Sequence, residues 1–242
     1  MSNNKGGFDY ENKVIGALLR TGCAGSILEG AGSSSADADA DFVIDGVRYL
    51  VEVKKNAVAQ MGGTSVRFAN GNFSFAKGGV EETTQQRIIS LLQSKAPFIQ
   101  DLLAKINCEA FPARCAKETW QAAKEEGYLI PVNTELEFDT DFIADHYTAK
   151  GINYIQIGGA GLFYLRDNPA NLPIPELTGK INIELRPGRS GANKGMVSAG
   201  IRAQGRLQFR PISPFTLDDD RSIKSMIKTQ MEENKNGQKQ NR

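Results

Sequence analysis

The stretch ADFVIDGVRYLVEVKK, residues 40–55, constrains the fold of this chain more than any other. Two runs rich in β-branched and aromatic residues flank Asp45-Gly46, a dipeptide that accepts the positive φ values of a type I′ turn, so the sequence predicts a β-hairpin there. A two-residue turn sets the register: Ile44 pairs with Val47, Asp41 lies opposite Leu50, and Asp39 lies opposite Glu52. Side chains alternate between faces along a strand. Val47, Tyr49, Val51 and Val53 therefore make an apolar face suited to a core. Arg48, Leu50, Glu52 and Lys54 make the other, and both aspartates share it.

Three carboxylates gathered on one face of a hairpin repel unless something cationic sits among them. Lys54 supplies one positive charge. Hard oxygen ligands with open positions for water suit Mg²⁺ or Mn²⁺, and such an ion can polarise a phosphoryl oxygen and acidify bound water. The pattern points to a metal-dependent phosphodiesterase site. An E-x-K triplet alone is the ordinary alternation of a solvated strand. The upstream aspartate on the same face, the Asp45-Gly46 turn and the apolar opposite face set this one apart.

Ala40-Asp41-Phe42-Val43-Ile44, the hairpin, and then Glu52-Val53-Lys54 resemble the PD-(D/E)xK nuclease superfamily of restriction endonucleases, Holliday-junction resolvases and lambda-type exonucleases. Ala40 stands where the motif has proline. The resemblance covers roughly residues 8–60. It implies an α/β fold with a restriction-endonuclease-like core, a central mixed β-sheet flanked by helices. It implies a Mg²⁺-dependent DNA nuclease, with Mn²⁺ able to substitute, that leaves a 5′-phosphate and a 3′-hydroxyl. Carried over, Asp41, Glu52 and the Val53 carbonyl would hold the metal, and Lys54 would position or activate the attacking water. Glu11, in FDYENKV on the first helix, matches a further metal or water ligand of some members. The eleven residues from Asp41 to Glu52 suit compact members and the thirteen from Asp39 suit resolvase-like ones. Asp41 is preferred because it directly precedes the apolar run, with Asp39 as its substitute or as a second-metal ligand. Gln60 falls where relatives carry a polar residue near the DNA. Many relatives act as dimers, so a homodimer is compatible with the resemblance. Within it, an endonuclease is favoured, since nothing suggests a toroid or a helicase-associated module. The rival class is a non-catalytic nucleic-acid-binding or assembly protein on the same scaffold.

Elsewhere, apolar spacing predicts a helix over 8–20 stopped by Gly22, helices over 81–106 with a break near Pro97, and further helices over 113–126 and 134–149. Strands are predicted near Ile27-Leu28, around an Asn70-Gly71 turn, at 153–157, 161–165 and 180–185, and at about 197–210. The expected organisation is one nuclease domain over residues 1–217. It has a motif core at 8–60, a helical insertion at 81–149, and C-terminal strands with a basic loop at 151–217. A polar, partly disordered tail is expected at 218–242.

Charge and composition exclude other classes. With 29 Lys and Arg against 28 Asp and Glu, the net charge of +1 is not that of a polybasic binder, so nucleic-acid affinity must come from local patches. One such patch lies in 180–210, where Lys180, Arg186, Arg189, Lys194, Arg202, Arg206 and Arg210 face only Glu184. Arg186, Arg189 and Lys194, in and around the Gly-rich RPGRSGANKG, are the candidate DNA-backbone contacts. No apolar stretch approaches a membrane span. Cys23, Cys108 and Cys115 show no CxxC spacing, and MSNNKGGFDYENK lacks a secretory apolar block, so a cytoplasmic, reducing compartment is expected. IGGAGLFYL lacks a following helix and reads as a turn between strands rather than a phosphate loop. The single histidine, His146, is assigned no catalytic role.

Overall fold

The computed structural model of the chain describes residues 5–25, 38–56, 60–75, 82–139, 141–178, 180–208 and 212–240. In chain order the elements are α1 (Lys5–Thr21), β1 (Ala40–Ile44), β2 (Val47–Lys54), β3 (Gln60–Ala69), β4 (Asn72–Phe75), α2 (Glu82–Leu92) and α3 (Ala96–Lys105). There follow β5 (Ala110–Phe111), β6 (Ala113–Ala116), α4 (Lys117–Glu125), β7 (Val132–Asp139), α5 (Asp141–Thr148), β8 (Ile152–Ile157), β9 (Gly161–Tyr164), β10 (Lys180–Asn193), β11 (Met196–Gln208) and α6 (Asp220–Gln240). The architecture is α/β, with two mixed sheets flanked by helices. The chain divides into two compact units, one of Met1–Ala59, Asp139–Lys180 and Gln208–Arg242, the other of Gln60–Phe138 and Ile181–Leu207.

In the first unit Asp45 and Gly46 take φ of 52° and 77°, the left-handed pair a type I′ turn needs. The hairpin register follows from it: Ile44 pairs with Val47, Asp41 with Leu50 and Ala40 with Val51. β2 then pairs in parallel with β8, and β8 antiparallel with β9, giving a four-stranded sheet in the order β1-β2-β8-β9. Parallel pairing requires a crossover, and strands so placed are covered on both faces, which explains why INYIQI of β8 is almost wholly buried. Val14, Ile15, Ala17 and Leu18 of α1 and Ile223 and Met226 of α6 pack with Phe42, Val51, Val53 and Tyr154 on one face. Gly22, at φ 73°, ends α1 as the sequence predicts. The amide of Cys23 donates to the Leu18 carbonyl at 2.9 Å, closing the helix in a left-handed cap. Residues 23–25 run on as a rudimentary strand, with Ala24 bridging Phe42. The strand predicted near Ile27-Leu28 lies outside the described residues.

The second unit is a five-strand path in the order β4-β3-β11-β10-β7, with β5 joined to β3 and β6 to β11. Asn70-Gly71 makes the predicted turn between β3 and β4. Val66, Phe68, Phe73, Val197, Ala199 and Ile201 are buried on one face of this sheet, and α2 and α3 bury Ile88, Leu92, Ala96, Ile99, Leu102 and Leu103 among their described residues. The helical run over 81–106 breaks at 93–95, in a short 3-10 turn just before Pro97, whose ring cannot continue a preceding helix.

Four expectations are corrected. Residues 132–139 form a strand, not the start of a helix, because VNTELEFD alternates with period two. Residues 113–116 are likewise a strand, and only 117–125 are helical, so the insertion is a sheet with helices rather than helical. RPGRSGANKG is not a loop: β10 runs through Asn193, and the turn is Lys194-Gly195 at φ 51° and 75°. The polar tail is helical over Asp220–Gln240. Ile223, Met226 and Gln230 supply a buried stripe one helical turn apart, and Arg20 of α1 grips Asp220 at 2.9 Å.

Candidate active site

β1 and β2 present Asp39, Asp41, Glu52 and Lys54 on one face of the first sheet, as the hairpin parity requires. The two aspartates nevertheless have different surroundings. Asp39, one residue before β1, accepts a hydrogen bond from the Val53 amide at 2.9 Å. Burial, with the charges of Glu52 and Glu11 added, pushes its pKa up to about 7, against the opposing pull of Lys54 and the Val53 amide. Asp41 is 1 % exposed and is ion-paired with Arg48. It is roofed by Gly25, where a Cβ would fall 2.1 Å from its Oδ2, so only glycine tolerates that approach. Of the two aspartates, Asp39 is the one whose carboxyl feels Glu52 and Glu11, while Asp41, the preferred sequence reading, is paired with Arg48.

Glu52, 7 % exposed, has two partners through Oε1: the Lys54 ammonium and the phenol of Tyr147, which donates at 2.9 Å. Tyr147 lies on α5, and Lys54 Nζ and Lys150 Nζ stand 5.9 and 5.6 Å from the centre of its ring. Burial raises the Tyr147 phenol far above its ordinary value, so it is a hydrogen-bond donor at every accessible pH. Burial works against the charge on Lys54, but Glu52, through its charge and its hydrogen bond, and Asp39 outweigh it and raise its pKa. Lys54 is therefore a fixed ammonium and not a proton acceptor. Glu11 on α1 is raised by burial and by Glu52, with Lys54 opposing, and its Oε2 is buried with no hydrogen-bond partner. Such an orphan is costly.

Tyr147 and its neighbour His146 were not identified from the sequence as site residues. The His146 ring meets the Tyr147 ring edge-on at 5.0 Å. Its pKa is lowered by burial and by Lys150 and Lys54, and raised by Glu52. The available signal was the buried stripe Ile143, Ala144 and Tyr147 of α5, which requires that helix to lie against a sheet.

The donor set suits a hard cation. Asp39, Glu52, Glu11 and the Val53 carbonyl offer only oxygen, three carboxylates face one ammonium, and one buried carboxylate oxygen has no partner. Among the described residues no three His, Cys, Asp or Glu side chains are already drawn around one point, since Glu52 is turned to Lys54 and Tyr147. The Asp41 carboxylate is ion-paired with Arg48.

The candidate DNA contacts lie in the second unit. Gln60 opens β3 opposite Arg206. Arg189 and Lys194 are exposed near the β10–β11 turn. Arg186 and Arg206 both pair with Glu184, at 3.1 and 2.7 Å, so Arg186 shares its charge with a carboxylate instead of standing free for phosphate. No described helix is long and apolar enough to cross a membrane. No protein-family model, no curated protein and no solved structure matches the chain.

Proposed function

We propose that this chain is a Mg²⁺-dependent DNA nuclease with a restriction-endonuclease-like core in its first unit. The observation that carries the reading is the grouping of Asp39, Glu52 and Lys54 on one sheet face, with the partnerless carboxylate oxygen of Glu11 completing an under-compensated acidic set. The mixed sheet with α1 and α6 packed on its apolar face supports the same architecture.

In this reading Asp39, Glu52 and the Val53 carbonyl hold the metal, with Glu11 ligating directly or through water. Once bound, the ion supplies Lewis acidity to a phosphoryl oxygen and acidifies water. Lys54, a permanent ammonium, would orient the attacking water by donating a hydrogen bond to its oxygen and would offset the charge that builds on phosphorus. Tyr147 keeps Glu52 aimed. Water would attack phosphorus in line and give up its proton to bulk solvent, the bond to O3′ would break, and O3′ would take a proton from solvent water, leaving a 5′-phosphate and a 3′-hydroxyl. An endonuclease is proposed, and cleavage of circular plasmid as well as linear duplex separates it from an exonuclease.

A second reading, a nucleic-acid-binding protein without chemistry, is favoured by one observation: Glu52 is engaged by Lys54 and Tyr147 rather than facing its fellow carboxylates. Plasmid incubated with Mg²⁺ or Mn²⁺ decides between them. Degradation that EDTA blocks supports the nuclease. Intact plasmid with retained DNA binding supports the second reading.

A further inference from the structure

The strands β3, β4, β5, β6 and β11 contain no Asp or Glu, in a chain whose acids and bases otherwise balance. Their arginines are not scattered. Alternation puts Val66, Phe68, Phe73, Cys115, Val197, Ala199 and Ile201 on the buried face, so the intervening residues share the opposite one. There the register pairs Arg202 with Ser65, Arg114 with Ser198 and Arg67 with Ser74. All six are exposed. Among the described residues none of the three arginines has an ion-pair partner, in contrast to Arg186 and Arg206, which converge on Glu184.

The geometry points to this open face of the second unit as the docking surface for the sugar-phosphate backbone of duplex DNA, with Arg67, Arg114 and Arg202 as the phosphate contacts. The inference rests on the proposed function only for the identity of the polyanion, and not for any chemistry. Three features select that partner. Ser198 and Arg202 are four residues apart on one strand, about 13 Å at 3.3 Å per residue, so the arginines at the two ends reach separate phosphates and not one small anion. The side chains beside them are serines and Gly200, which let a backbone approach closely. The aromatic residues Phe68 and Phe73 are buried on the other face, so among the described residues they offer this face no stacking platform for single-stranded bases. The acidic residues of β7, Glu135, Glu137 and Asp139, belong to the edge strand beyond β10. Contacts of this kind carry affinity without sequence readout.

The test is fluorescence anisotropy of a labelled duplex with the full chain in EDTA, so that cleavage plays no part. The combined substitution Arg67→Gln, Arg114→Gln and Arg202→Gln is expected to weaken binding at least tenfold. It should also reduce the slope of log K against log salt by about 2–3, at about 0.9 per phosphate contact. Lys95→Gln, Lys117→Gln and Lys124→Gln, which remove equal charge from the helical layer, are expected to leave the slope unchanged. Unaltered affinity and slope in the arginine variant overturn the proposal, as does an equal loss in the lysine variant, a wild type that does not bind, or tighter binding of polyglutamate than of duplex. Cleavage failing while the arginine variant loses affinity would remove the nuclease reading and leave this one standing.

Discussion

Tyr147 and Glu52, ninety-five residues apart in the chain, are joined by a buried hydrogen bond of 2.9 Å in which the phenol donates to the carboxylate. The bond ties α5 to the strand that carries the E-x-K triplet, and the same ring lies beside the Lys54 ammonium. The inserted second unit separates the two residues in sequence, and the crossover into β8 brings them together.

Tyr147→Phe keeps the ring and removes the donor. Glu52 then has only Lys54, and a charged hydrogen bond of this kind contributes about 1.5–3 kcal/mol. The variant is expected to lose about 2 kcal/mol in urea denaturation and to cleave DNA more slowly, with duplex affinity in EDTA unchanged. Wild-type stability would mean that the phenol does not hold Glu52.

Glu52→Gln preserves shape and the contact with Tyr147 while deleting the charge. Cleavage is expected to fall at least a hundredfold, as the loss of one charge-stabilising group in a preorganised site does, with DNA binding equal to or tighter than wild type. Lys54→Met is expected to be equally inactive while still binding Mn²⁺ in calorimetry. Turnover near the wild-type rate for Glu52→Gln would exclude its assigned role.

Most of the hairpin was legible because its determinants are local. Asp45-Gly46 and Asn70-Gly71 both adopt the positive φ pair that such dipeptides favour, and once a turn is placed, strand parity assigns every face. Parity could not choose between Asp39 and Asp41, which lie on the same face. That choice depends on Arg48 reaching Asp41 and on the Val53 amide reaching Asp39. The Lys194-Gly195 turn takes the same positive φ pair as the other two, but Lys-Gly lacks the Asp-Gly or Asn-Gly signal and lies among the glycines of RPGRSGANKG. The α6 helix was read as a tail because its apolar residues are few. Its order comes from burying Ile223, Met226 and Gln230, a tertiary gain that its mean composition conceals. Tyr147 belongs to the apolar stripe Ile143, Ala144 and Tyr147 of α5, but nothing local ties it to Glu52, ninety-five residues away.

Arg48 and Asp41 form an asymmetric pair, with side chains 49 % and 0 % exposed. Removing the buried member costs little, because the guanidinium left behind is solvated. Removing the exposed member takes the Arg48 charge away from a carboxylate in the interior. Arg48→Ala is therefore expected to destabilise the protein by about 1–2 kcal/mol and Asp41→Asn by less than that, read as chemical-denaturation midpoints at neutral pH. The reverse order would show that the Arg48 charge is not what Asp41 chiefly depends on.

The acid limb of stability should be sensitive to Asp218. Burial pushes this carboxyl up, but hydrogen bonds from Thr216 and Lys13, the Lys13 charge and the Tyr10 phenol overcome it and hold its pKa below the ordinary carboxylate value. Lys13 Nζ lies 3.0 Å from Oδ2, and Thr216, itself bonded to the buried Gln156 side chain, donates to Oδ1 at 2.6 Å. A carboxylate whose folded pKa is depressed contributes stability that is complete above its unfolded value, near 3.9. That stability is lost as pH falls through the lower folded value, because protons then bind the unfolded chain more readily than the native one. Asp218→Asn is expected to lower stability at pH 7 and to flatten its fall below about pH 4, so that wild type and variant converge near pH 2. Urea midpoints measured from pH 2 to pH 7 read this directly. Parallel curves for the two proteins over that range would show that Asp218 ionises alike in the folded and unfolded chains.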